Sequence, residues 1–205
     1  MVELYLKGGI FMHPILGCLV VGLMFCLERF WTLTRSSTNT RKFMIKIRKA
    51  LTEGGPEAAM EICSKTRGPV ASIFNAGLLR IDRGIDSVEK SIMSAGTIEM
   101  AFLEKNLIWL STVISLAPLL GFTGTVSGMI NAFNNIAAAN DISPSIVADG
   151  IAEALLTTLF GLIVAMIVQV FNNFFVSRID KLVIDMEESS IDFVDALADS
   201  ANKQA

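Results

Sequence analysis

The sequence predicts an all-α membrane protein with three transmembrane helices, the second and third extended far into a helical cytoplasmic domain. Three observations lead there. Hydrophobic residues make up 52% of the 205 and charged residues only 18%, against about 25% charged in a soluble domain. The apolar residues gather in three runs without Asp, Glu, Lys or Arg, at 10–27, 106–140 and 154–177. Helical spacing of apolar residues also reaches beyond the second and third runs.

A bilayer core of about 30 Å takes roughly 20 helical residues, and each run qualifies once its flanks are counted. The first gives a helix over about 10–33, within an N-terminal segment 1–34. A signal peptide is the weaker reading, because Glu28-Arg29 follows the apolar stretch where a small-residue cleavage site would be needed. The Glu28-Arg29 pair reads as an anchor that snorkels to the interface.

Residues 35–105 read as a cytoplasmic helical domain. Residues 36–40 form a polar break, after which Phe43, Ile47, Ala50 and Leu51 recur at helical spacing beside a basic face suited to anionic lipid headgroups. Gly54-Gly55-Pro56 predicts a turn, and Gly68-Pro69 a new helix. From Gly84 onward Ile85, Val88, Ile92, Ala95, Met100, Leu103 and Leu107 run without a breaker into the second membrane helix, 106–134. A short polar loop over 135–145 and a third membrane helix over 146–177 follow. In the tail, 178–205, Ile179, Leu182, Met186, Phe193 and Leu197 keep the 3–4 spacing. The tail is acidic and the middle region basic, so charge could dock one on the other, although solvated faces explain both.

Lysine and arginine set the orientation. Of the 17, 13 lie between Arg29 and Lys105, Lys7 alone precedes them, and none lies between the second and third helices. The N-terminus is therefore expected outside and the C-terminus in the cytoplasm. The net charge of −3 argues against nucleic acid as a partner. A lone histidine, His13, and the scattered Cys18, Cys26 and Cys63 make neither a metal site nor a disulfide framework, and read as buried free thiols. With no nucleophile–base constellation, an enzyme has little support. A membrane scaffold without an ion path is the remaining alternative class.

The second and third membrane helices carry small and polar residues in register. Gly121, Thr125, Gly128 and Ala132 step by 4, 3, 4, as do Ala154, Thr158, Gly161 and Ala165. Such faces let helices approach closely, and ordinary packing between helices accounts for the spacing alone. At about 1.5 Å per residue, Thr125 and Thr158 fall at a similar depth on antiparallel neighbours, which fits a polar-lined pathway. Glu153 is the sharper signal. A carboxylate inside the membrane is expensive and normally faces a bundle interior or a wet cavity. It has no obvious basic partner at its depth, and is expected to be protonated, hydrated or bonded to hydroxyls such as that of Thr157.

At these residues the chain resembles the ExbB/TolQ proton-channel proteins, which are similar to the flagellar MotA stators. The resemblance is carried by Gly8-Gly9, Pro14-Ile15-Leu16 and Glu28-Arg29. It continues through Gly68-Pro69-Val70-Ala71, then Ala117-Pro118-Leu119-Leu120-Gly121 with Gly124-Thr125-Val126 and Gly128-Met129-Ile130, and ends in 150–162. It is closest to ExbB, and Phe122-Thr123 departs from the aliphatic pair usual before Gly-Thr-Val. The resemblance implies a homopentamer in the inner membrane around two copies of an ExbD/TolR-type single-pass partner, whose aspartate carries the proton. It implies coupling of the proton-motive force to a TonB- or TolA-type transducer for outer-membrane import or envelope maintenance. Thr125 and Thr158 would line the path and Glu153 would belong to it or to its gate. Pro118, Gly121, Gly124, Gly128, Thr157, Gly161 and Ala165 would serve helix packing or face the partner. No cofactor is implied beyond the coupling ion, protons rather than sodium.

Overall fold

The computed structural model describes residues 2–36, 40–139 and 144–204. All regular elements among these residues are helical: α1 (Val2–Lys7), α2 (Met12–Ser36), α3 (Thr40–Lys65), α4 (Pro69–Leu78), a 3-10 turn (Ile81–Arg83), α5 (Ile85–Glu104), α6 (Leu107–Ala139) and α7 (Pro144–Gln204). Among the described residues, three stretches are long and apolar enough to cross a membrane, beginning in α2, α5–α6 and α7. Most of the expected break at 36–40, and Ser143 ahead of Pro144, lie outside the described residues.

Two expected boundaries move. The passage from the cytoplasmic helix into the second membrane helix is not continuous. Lys105 is extended (φ −50°, ψ 138°), and Asn106 adopts a left-handed φ of 67°. Asparagine tolerates that region better than other side chains, and here its Nδ2 donates to Glu28 Oε2 at 3.3 Å. The loop expected over 135–145 is helical at both ends, since α6 continues to Ala139 and α7 starts at Pro144. The Ile136-Ala137-Ala138-Ala139 run outweighs the turn preference of Asn134 and Asn135, alanine being the strongest helix former.

The chain forms two compact units. The first comprises residues 1–29 and 106–174. Its core is made where α2, α6 and α7 meet: Met12, Ile15, Cys26, Leu110, Val113, Ala117, Val164 and Val168 are buried. A Cβ on Gly22 would fall 2.8 Å from Val168 Cγ2, so the absence of a side chain there brings α2 against α7. Phe25 stacks on Trp109 with centroids 6.0 Å apart. The outward residues, among them Val20, Met24, Leu119, Phe122, Leu155, Met166 and Val170, are large and apolar, as a lipid-facing surface requires. Arg29 departs from the snorkelling expected of it. Its side chain is buried and makes two bonds to the Glu28 carboxylate, Nε to Oε2 at 2.7 Å and Nη2 to Oε1 at 2.6 Å. A buried guanidinium needs such a fork of partners.

The second unit comprises residues 30–105 and 175–205. Three rings centre it: Phe43 lies 5.8 Å from Phe74, and Phe74 lies 4.1 Å from Phe193 in a near-parallel stack. Ile47, Ile73, Leu78, Val88, Ile92, Met186 and Leu197 complete the core. The Gly54-Gly55-Pro56 turn is a kink inside α3, with Gly55 at φ 70°, a conformation that glycine alone takes at little cost. The tail docks through Phe193 and its apolar neighbours. Charge adds little: Arg48 and Asp192 meet at 3.6 Å with both side chains exposed, and such pairs contribute at most about 1 kcal/mol.

The three cysteines are free thiols, Cys26 and Cys63 buried and Cys18 half-buried. In the second unit, burial pushes the Cys63 thiol up to about 11. The thiolate is the reactive form, so alkylation of Cys63 in the folded protein should be slow at neutral pH and rise with pH. Peptide mass spectrometry checks this; neutral-pH labelling as fast as in denaturant would contradict the packing.

Candidate functional site

The two small-residue stripes meet each other within one chain. A Cβ on Gly161 would lie 2.5 Å from the Ala117 carbonyl oxygen, one on Gly121 2.8 Å from that of Thr157, and one on Gly124 2.6 Å from Thr157 Oγ1. One on Gly128 would lie 3.2 Å from Ala154 Cα, and one on Gly150 2.4 Å from Ala132 Cβ. Helices α6 and α7 therefore touch backbone to backbone along this seam. Of the residues offered for helix packing or for a partner, Gly121, Gly124, Gly128, Thr157, Gly161 and Ala165 are buried and Pro118 is half-buried. The glycines are covered by α7 or α6 of the same chain, so packing, rather than an open partner-facing surface, is what their spacing encodes.

Thr125 and Thr158 lie at the rim of this seam, both half-buried, and their hydroxyls bond each other. Thr158 Oγ1 is also within donating distance of the Gly121 carbonyl at 3.1 Å. Thr125 Oγ1 can donate to the Ala154 carbonyl at 3.0 Å or to that of Gly121 at 3.2 Å. Thr157, 1% exposed, donates to the Ala154 carbonyl at 2.8 Å, with the Gly121 carbonyl at 3.3 Å. Three hydroxyls thus converge on two carbonyl oxygens. Each has one proton and two lone pairs, so the pair at the rim retains lone pairs that can accept from water or from a protonated acid. A threonine hydroxyl does not ionise near neutral pH. Hydroxyls of this kind can orient and relay a proton but cannot store one.

Glu153 stands one turn from Thr157 on α7 and is half-buried. Its expected bond to Thr157 does not form, because that hydroxyl is turned to the carbonyls. It is also less isolated than its depth suggested. A cavity of about 480 Å³ is lined by Glu153, Asp149 and Lys7, with Asn131 and Asn135 from α6. A Cβ on Gly9 would fall 1.9 Å from Glu153 Oε1, so the main chain at Gly9 lies on the carboxylate. In the sequence Gly8-Gly9 carries no role and Lys7 only an orientation signal, because the approach of Gly9 to Glu153 is tertiary and has no periodic pattern.

The MotA/TolQ/ExbB proton channel family model matches residues 65–188. A Methanothermobacter thermautotrophicus protein described as an ExbB homolog in biopolymer transport is 28% identical over 186 residues, 90% of this chain and 66% of its own length. A Synechocystis ExbB-like biopolymer transport protein is 28% identical over 197 residues, 94% of this chain and 74% of the relative. The Tol-Pal system protein TolQ of Pseudomonas aeruginosa is 35% identical over 125 residues, 56% of this chain and 54% of that protein.

Proposed function

The chain belongs to the MotA/TolQ/ExbB proton channel family, and from that premise we propose that it is an ExbB-type subunit of a proton-driven motor in the inner membrane. In this reading five copies surround a dimer of an ExbD-type single-pass protein, and the assembly couples proton flow to a TonB-type periplasmic transducer for outer-membrane import. The N-terminus and the α6–α7 turn are periplasmic and the C-terminus is cytoplasmic. The observation that carries the reading is the bonded Thr125–Thr158 pair at the rim of a tightly closed α6–α7 seam. It offers a proton relay without a proton store, which suits a carrier carboxylate supplied by another chain. The partner surface is then the hydroxyl-bearing rim, with the glycines holding the two helices together behind it.

Each unit charge crossing 100 mV releases about 2.3 kcal/mol, available for work only if leakage is prevented. Packing along the seam would exclude water from its interior and confine passage to the rim. A TolQ-like role in envelope maintenance is the second reading, favoured by the 35% identity to TolQ; it uses the same relay with a different transducer. Glu153→Gln keeps size and shape but cannot ionise. In vesicles carrying the chain with its single-pass partner, this variant should lose most proton flux while the complex purifies intact. Full flux would mean a path that avoids Glu153, and absence of flux in the native complex would favour a non-conducting scaffold.

A further inference from the structure

We infer that the segment from Lys7 to Gly9 is an outer gate over Glu153, with Gly9 as the cover and Lys7 as a charge barrier in the cavity that leads to the carboxylate. This rests on the reading that Glu153 belongs to the ion path. Three independent features support it. Gly9 has a φ of 67°, which L side chains rarely adopt, and any Cβ there would overlap Glu153 Oε1. The backbone angle favours glycine, and the close approach shows that the main chain rests on the end of the Glu153 side chain, which would have to turn aside for a Cβ. Lys7 is the sole lysine or arginine before Arg29, and none lies between Lys105 and Arg178, yet it lines the Glu153 cavity. The segment is also anchored: Tyr5 packs edge-on against His13 of α2, ring centroids 5.6 Å apart, and a Cβ on Gly8 would fall 2.5 Å from Met12 Cγ.

The cavity holds room for several waters, each taking about 30 Å³. Its charged groups around Glu153 are Lys7 and Asp149. A hydrated cation arriving from this side meets the ammonium before the carboxylate, and Gly9 must lift before Glu153 is fully wetted.

The test is reaction of Glu153 with a water-soluble carbodiimide and an amine, read by peptide mass spectrometry on the full chain in its membrane complex, with exposed Asp192 as internal reference. Native Glu153 should label much more slowly than Asp192. Gly9→Ala, which forces the carboxylate and its cover apart, should raise Glu153 labelling several-fold. Lys7→Gln should do the same without disturbing the backbone, and Lys7→Arg should restore the native rate. Native labelling as fast as Asp192, or no change in Lys7→Gln, would overturn the gate even if Gly9→Ala failed to fold. Labelling is independent of flux. Normal conduction by Glu153→Gln would remove the pathway reading and leave the cover standing, whereas unchanged labelling would remove the gate and leave the pathway.

Discussion

Gly161→Leu should prevent the first unit from folding. The Cβ alone would lie 2.5 Å from the Ala117 carbonyl oxygen and 3.2 Å from Gly121 Cα. Both are main-chain atoms of α6, which cannot turn aside as a side chain can. Overpacking a core costs about 1–3 kcal/mol where side chains can adjust; here the helices themselves must separate, and the three hydroxyls lose their shared carbonyls as they do. Gly161→Ala should be intermediate. Gly17 is the control, a glycine of α2 in the same unit with nothing within 4 Å of its Cβ position. Gly17→Ala should leave the melting temperature of the detergent-solubilised protein near native, or slightly higher, since alanine favours helix by about 1 kcal/mol over glycine. A Gly161→Leu protein that melts with the native would mean that the seam is not closed as described.

Thr158→Val should abolish proton-driven work while leaving the protein assembled. Valine nearly matches threonine in shape, so the seam stays filled. The structural cost is the loss of the hydroxyl's bonds to Thr125 and to the Gly121 carbonyl, each about 0.6 kcal/mol on average within membranes. The Gly121 carbonyl keeps Thr125 and Thr157 within donating distance, so no buried acceptor is stranded. What disappears is the hydroxyl bonded to Thr125 at the rim. A positioned proton-transfer group contributes about 10²–10⁴-fold, and a hundredfold fall in flux is expected. Thr157→Val should behave differently. Thr157 is buried behind the rim, so its loss should lower stability and affect flux only secondarily. Melting temperature and oligomer size, measured for both variants, separate the two roles.

Much of this was legible in the residues. Three charge-free runs announced the membrane helices, and the 4, 3, 4 stepping on α6 and α7 marked the faces that meet. The similar depth of Thr125 and Thr158 on antiparallel neighbours is consistent with their contact, although depth alone pointed only to a shared level. Spacing identifies a face but not what covers it, so the same stripes could equally have awaited another chain. The break at Lys105–Asn106 was hidden because apolar spacing runs across it. What stabilises the left-handed Asn106 is its bond to Glu28, far away in sequence. Arg29 gave an interfacial signal and is buried, because the adjacent Glu28 supplies a bidentate partner. The approach of Gly9 to Glu153, and the cavity that Lys7 shares with it, bring together residues far apart in sequence without local pattern.

The proposed crossing of protons at the Thr125–Thr158 rim uses a carboxylate supplied by a partner. It is tested most directly by loading vesicles with a pH-sensitive dye and imposing a potential on the purified complex of this chain with its single-pass partner. The native complex should acidify the vesicles, the chain without its partner should not, and the Thr158→Val complex at matched assembly should fall about a hundredfold. Undiminished acidification by the Thr158→Val complex would contradict the claim.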